Sequence, residues 1–265
     1  MIPRLVSSII LIPPVLAAIW FGSPYFEILV LIVGLIALFE WCRIARAGET
    51  AWPGHIAILV FAVALVSYFF QLVIFSWSMI GLGFVVLVIL GWRTDAAAGP
   101  WPAIGLIYVG IACIALVELR ADPAAGRQII LWLMLVIWAT DIGAYLFGRM
   151  IGGVKLAPRI SPNKTWAGLL GGIGCAIAVA AIIFAATPVK QGIMLFVVLS
   201  AAVAVVSQAG DLLESWLKRR FGVKDSGNLI PGHGGILDRI DGILLSAPAV
   251  AIVYWLYQGG NAPWK

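Results

Sequence analysis

Acidic side chains are sparse in this chain and unevenly placed. Six of its twelve aspartates and glutamates are Asp141, Asp211, Glu214, Asp225, Asp238 and Asp241, and none follows. Asp141 stands inside an apolar run just after Trp138, where a charged side chain costs roughly 2.5–3.5 kcal/mol even on a lenient scale. Asp211 closes a long apolar run, with Ser215 and Lys218 after it. If the helix continues, Asp211, Glu214, Ser215 and Lys218 share one face. Asp238 and Asp241 also share a face if a helix begins near Ile236. Two carboxylate groups joined by a loop, with no cysteine or second histidine beside them, form an all-oxygen ligand set. Such a set suits Mg²⁺, which takes one or two carboxylates and completes its shell with water and phosphate. For Glu214 and Asp225 a plainer reading stays open, that of helix-end acids paired with a local cation.

The joining loop carries Lys218, Arg219, Arg220 and Lys224, then Gly227, then Pro231-Gly232-His233-Gly234-Gly235 and Arg239. Glycines let backbone N–H groups approach an anion, and a following helix start adds its positive dipole end. Cations around a glycine-rich turn between carboxylates suit a polyphosphate. Simple membrane-topology signalling accounts for the cations but not for His-Gly-Gly just ahead of Asp-x-x-Asp. An earlier loop repeats the theme with Arg149, Gly152-Gly153, Lys155, Arg159 and Ser161-Pro162-Asn163-Lys164-Thr165. Here Ser161 fits a helix N-cap with Pro162 at the first helical position. Arg159 and Lys164 could then meet an anionic head group, though topology signalling alone remains an equal reading of this loop. Gly168 and Gly172, four apart, suggest close helix packing.

These residues must be positioned by membrane helices. Of 265 residues, 63% are apolar and 11% charged, against about half and a quarter in soluble domains. That excludes a soluble enzyme, a disordered chain and a secreted disulfide scaffold. Runs apolar on every face, such as Ile28–Phe39, exclude a barrel, whose strands alternate. The fold class is therefore all-α, a polytopic integral membrane protein of about nine transmembrane helices, near 5–21, 25–42, 56–70, 72–90, 102–119, 128–148, 166–187, 191–214 and 242–258. The short third run could join the fourth as a re-entrant pair. The first could be a signal peptide behind Arg4, but Pro13-Pro14 within it favours a retained, kinked span. The division expected is 1–125, N-terminal transmembrane helices, and 126–265, a C-terminal catalytic region with its loop at 215–241. Cys42, Cys113 and Cys175 have no metal or disulfide spacing and read as small buried residues.

The net charge of +5 speaks here for orientation, not for nucleic acid. Counting loops by side, thirteen of the seventeen lysines and arginines fall with the amino terminus, and Arg120, Arg127, Lys190 and Lys265 fall opposite. The positive-inside rule makes the thirteen cytoplasmic. The expectation is a multi-pass protein of the cell (inner) membrane with both basic loops facing the cytoplasm.

Residues 215–241, SWLKRRFGVKDSGNLIPGHGGILDRID, resemble the signature of the phosphatidate cytidylyltransferase family, also called CDP-diacylglycerol synthase. Ser215, Lys218, Arg219, Lys224, Asp225, His233, Gly234, Gly235, Asp238, Arg239 and Asp241 match it without departure. The stretch from Asp141 through Gly168 is also similar, whereas the first ~125 residues match only as generic spans. The resemblance implies transfer of a cytidylyl group from CTP to phosphatidate in a lipid membrane, with Mg²⁺ and room for a second cation. On this footing Asp211 and Asp238 are the principal metal ligands, with Asp241 and Asp141 beside them. Ser215 and Lys218 join Asp211, Asp238 and Asp241 as catalytic candidates. Arg159, Lys164, Arg219, Lys224, His233, Gly234, Gly235 and Arg239 are expected to bind substrate, with a purely structural His233 as the alternative. A homodimer stays open. An ion-coupled transporter also uses intramembrane acids, but it needs no basic glycine-rich loop and no inverted pair of broken segments is visible.

Overall fold

Lipid offers no partner for backbone N–H and C=O groups, so apolar chain that must cross it coils into helices. The computed structural model describes residues 2–45, 52–94, 99–186, 192–229 and 234–257. Among these, nine α-helices follow in order: α1 (Ile2–Phe21), α2 (Tyr25–Ile44), α3 (Trp52–Phe69), α4 (Val73–Thr94), α5 (Trp101–Ala121), α6 (Gly126–Met150), α7 (Trp166–Ala186), α8 (Ile193–Arg220) and α9 (Leu237–Tyr257). Each expected run corresponds to one helix. Eight are long and apolar enough to cross a membrane, and α1 contributes the shorter apolar stretch Leu11–Phe21. The third run does not merge with the fourth. A turn at Phe70–Leu72, with Gln71 in the left-handed region, separates α3 from α4, and each is span-length by itself. Large apolar side chains such as Ile74 (85% exposed), Leu59 and Leu170 point outward, as suits a surface that meets lipid. Cys42 and Cys113 are buried, and none of the three cysteines is bridged.

The chain divides into two compact units, one of 1–118 with 217–240, the other of 119–216 with 241–265. In the first, Leu38, Trp41, Phe61 and Leu106 are fully or nearly fully buried. Gly34 lies so close to Phe61 that a Cβ there would come within 2.4 Å of the ring. In the second, α6 and α7 pack through small residues. A Cβ on Gly168 would sit 2.7 Å from the Ala144 carbonyl, and one on Gly172 would sit 2.8 Å from that of Thr140. This is the close approach that their spacing suggested. Trp132 Nε1 donates to Ser200 Oγ at 3.0 Å, and Ser200 Oγ donates to the Phe196 carbonyl at 2.9 Å, so these polar groups are paired inside apolar surroundings.

Two local expectations are corrected. Ser161 does not cap α7. Residues Ser161–Thr165 form strand β2, antiparallel to β1 (Lys155–Ala157). Thr165 takes the capping position instead, its Oγ1 accepting the Gly168 N–H at 3.0 Å, and Pro162 is tolerated because a two-stranded ribbon leaves edges without ladder bonds. The loop expected over 215–241 is also shorter, because α8 runs on to Arg220 before it stops. Gly222 adopts φ 70°. With the Gly222 N–H on the Arg219 carbonyl and the Val223 N–H on that of Lys218, it closes the helix in a Schellman motif.

Candidate active site

Among the described residues, Lys164 in the second unit and Lys218 in the first each pair with an aspartate. In the second unit the contributing elements are α6, β2, α8 and α9. Gly210 lets α8 and α9 meet, since a Cβ there would be 2.4 Å from the Asp241 carbonyl. That close approach sets Asp211, the next residue on α8, within electrostatic reach of Asp241, which also feels Asp141 and Lys164. Lys164 Nζ lies 2.6 Å from Asp211 Oδ2 and donates to the Gln208 carbonyl at 3.4 Å. Gln208 Nε2 donates to Asp141 Oδ1 at 3.2 Å, and Ser215 Oγ donates to Asp211 Oδ1 at 3.3 Å. Asp211 thus pairs with Lys164, Asp241 lies within electrostatic reach of both and of Asp141, and the carboxylates outnumber the ammonium. The side chain of Asp211 is 34% exposed, so it is accessible from outside.

In the first unit the group is closed. Lys218 Nζ lies 2.5 Å from Asp238 Oδ1, with the two side chains 13% and 9% exposed. Asp238 Oδ2 accepts from the Ser226 N–H at 3.0 Å, from Ser226 Oγ at 2.8 Å and from the Gly235 N–H at 2.9 Å. The end of α8 that carries Lys218 is held by aromatic contacts. Phe221 meets Trp101 edge-on, the Arg220 guanidinium lies 5.7 Å from the Trp101 ring centre, and the Trp101 carbonyl accepts Trp41 Nε1–H at 2.9 Å.

The candidates from the sequence therefore separate. Asp141, Lys164, Asp211, Ser215 and Asp241 come together in the second unit, whereas Lys218, Gly234, Gly235 and Asp238 come together in the first. Arg159 is exposed in the turn between β1 and β2, and Arg219, Lys224 and Arg239 are exposed as well. His233 lies outside the described residues. Glu214 is buried on α8. Three participants were not singled out from sequence: Gln208, Ser226 and Glu40. Glu40 is 3% exposed in α2, and the signal was available, since an acid in the run Leu38-Phe39-Glu40-Trp41 carries the same burial cost as Asp141.

Among the described residues no three or more His, Cys, Asp or Glu side chains are arranged as a metal cage. By chemistry the donors of the second unit still suit a hard divalent cation, being all oxygen and in excess over their one ammonium. Asp238 suits one less, because both of its oxygens already accept from protein donors.

A helical membrane protein with an accessible carboxylate–ammonium group and a basic, glycine-containing loop has the make-up of a membrane enzyme acting on phosphorylated substrates. Residues 2–257 match the model of the cytidylyltransferase family, and the chain belongs to that family. It is 38% identical over 270 residues to the phosphatidate cytidylyltransferase of Brucella suis, covering 98% of this chain and 95% of that protein. It is 36% identical to the phosphatidate cytidylyltransferase of Bacillus subtilis, over 92% of this chain and 96% of the relative. With that of Staphylococcus epidermidis the identity is 34%, over 94% and 97%.

Proposed function

We propose that this enzyme transfers CMP from CTP to phosphatidate, giving CDP-diacylglycerol and pyrophosphate. The observation that carries the reading is the unbroken signature from Ser215 to Asp241, in a family member similar over nearly its whole length to phosphatidate cytidylyltransferases. In the proposed step a phosphate oxygen of phosphatidate attacks the α-phosphorus of CTP, the bond to the bridging oxygen breaks, and pyrophosphate leaves with that electron pair. The attacking group is a phosphate monoester with a second pKa of about 6, so it arrives as a nucleophile and no protein base is required. The difficulty is electrostatic, because a dianion must approach a triphosphate. Arg159, Lys164, Arg219, Lys224 and Arg239 are proposed to offset that repulsion. Asp141, Asp211 and Asp241 would hold Mg²⁺, which when bound supplies further neutralisation of phosphate charge. Ser215, donating to Asp211, fixes the carboxylate orientation. A cation held by Asp238 would have to replace Lys218.

The basic loops are proposed to face the cytoplasm, where CTP is dissolved and where basic residues attract anionic lipid by about 1 kcal/mol each. A single cysteine at exposed Lys224, in a background lacking Cys42, Cys113 and Cys175, should be labelled only after cells are permeabilised; labelling of intact cells contradicts this orientation. For the activity, purified protein in detergent is given labelled CTP, phosphatidate and Mg²⁺. Labelled CDP-lipid should form, and ATP should not replace CTP. Absence of product, or equal use of ATP, rejects the reading, and ion flux in vesicles without any CDP-lipid would favour a transporter.

A further inference from the structure

Glu40 is the residue on which the start of α9 and the preceding loop converge. Its Oε2 accepts Ser226 Oγ–H at 3.0 Å and the Leu237 N–H at 2.8 Å, and its Oε1 accepts the Ile236 N–H at 3.1 Å. The first N–H groups of a helix lack intrahelical partners. Ile236, just before α9, has no side-chain acceptor to offer, so α2 supplies one from nearly two hundred residues earlier in the chain. An anion at this end also meets the positive end of the helix dipole.

Two glycines are shaped to this carboxylate. A Cβ on Gly227 would sit 2.7 Å from Glu40 Oε1, and one on Gly235 would sit 2.4 Å from Oε2 and 2.1 Å from Ser226 Oγ. Gly235, read from sequence as a residue for phosphate approach, is thus required for the approach of Glu40. The single hydroxyl of Ser226 lies within hydrogen-bonding distance of both Glu40 and Asp238, which links Glu40 to the Lys218–Asp238 pair. The frame behind it is tightly packed. Adjacent Trp41 is 2% exposed and is tied to the Trp101 carbonyl, and Gly105 packs against its indole.

We propose that Glu40 is a positioning residue for the transferase reaction. It fixes Ser226 and the first turn of α9, and through them the orientation of Asp238 and Lys218, without touching substrate. The proposal rests on the cytidylyltransferase reading for its kinetic arm only. Gln at position 40 keeps the shape but presents an NH₂ group where an acceptor is needed. Ala at position 227 keeps every charge but pushes on the same carboxylate, and Gly227 has no left-handed φ to forbid it.

The test compares wild type, Glu40→Gln and Gly227→Ala as full-length detergent-purified proteins. Hydrogen exchange is followed at the amides of Ser226 and Ile236–Asp238, and turnover is followed with CTP and phosphatidate. Both variants should exchange at least tenfold faster at those amides and at the wild-type rate in 161–165. Their kcat should fall about 10- to 100-fold, as expected when a group near the chemistry is misplaced by about an ångström, with KM for phosphatidate within twofold of wild type. Unchanged exchange overturns the proposal. So does a variant of lowered melting temperature whose kcat per folded molecule is normal, which would make Glu40 structural only. If Glu40→Gln does not fold, Gly227→Ala decides alone. If wild type makes no CDP-lipid, the proposed function fails, and the exchange arm still tests whether Glu40 holds the loop.

Discussion

The pair Lys164–Asp211 and the pair Lys218–Asp238 have nearly the same length, 2.6 and 2.5 Å, but different surroundings. Asp211 is about a third exposed, accepts from Ser215 and Lys164, and has Asp241 as an acidic neighbour, which Asp141 also reaches. Asp238 is nearly buried, and its two oxygens accept from Lys218, Ser226 and Gly235. A carboxylate a third exposed, with further carboxylates nearby, can exchange its ammonium for another cation. A closed group with its acceptors saturated holds a shape. Signature residues of one short stretch thus divide between the two groups, Ser215 and Asp241 in the open one and Lys218, Gly235 and Asp238 in the closed one. The contrast lies in burial and donor count rather than in residue type.

Several substitutions would break or sharpen this contrast. The largest effect is expected from Asp241→Asn and Asp141→Asn in the open group. Each preserves volume but removes a carboxylate from the transition-state electrostatics, and turnover should fall on the order of 100-fold with an unchanged size-exclusion profile. Turnover near wild type in both would remove the open group from the chemistry. In the closed group, Lys218→Met leaves Asp238 buried without its counter-charge, which costs about 3–5 kcal/mol. Thermal unfolding in detergent should register that loss. Adding Asp238→Asn should restore much of the stability and none of the activity; full additivity of the two destabilisations would mean that the pair is not coupled. The smallest effect belongs to Thr165→Ala, which removes the α7 cap and should cost about 1 kcal/mol while leaving turnover within a few-fold. A large kinetic loss there would implicate the β1–β2 hairpin itself in substrate binding.

The helices were legible because apolar runs of span length admit few alternatives in lipid. The two chemical groups were legible in part. Charge in an apolar setting flagged Asp141 and Asp211, and helical spacing flagged Lys218, Asp238 and Asp241, which the signature then matched. Spacing alone could not show that Asp211 keeps company with Lys164, because that pairing joins β2 to α8 across forty-odd residues. The same limit hid Gln208 and Ser226, ordinary polar residues whose roles come only from their partners. Ser161-Pro162 satisfied a helix-start pattern, but Thr165, nearer the apolar run, offered the same hydroxyl cap and the ribbon took the residues before it. Glu40 was visible as a buried acid, yet nothing in its own neighbourhood pointed to residues 226–238.

The claim that Asp211 belongs to the cation-dependent centre is tested most directly by the rate of CDP-lipid formation as a function of Mg²⁺ concentration, in wild type and Asp211→Asn. Wild type should lose activity in EDTA and recover it with added Mg²⁺. Removal of one carboxylate ligand should move the half-saturating Mg²⁺ concentration of Asp211→Asn upward by about tenfold or more, with a lower plateau. A folded Asp211→Asn protein with the wild-type Mg²⁺ dependence and near-normal turnover, or a wild type indifferent to EDTA, would contradict the account.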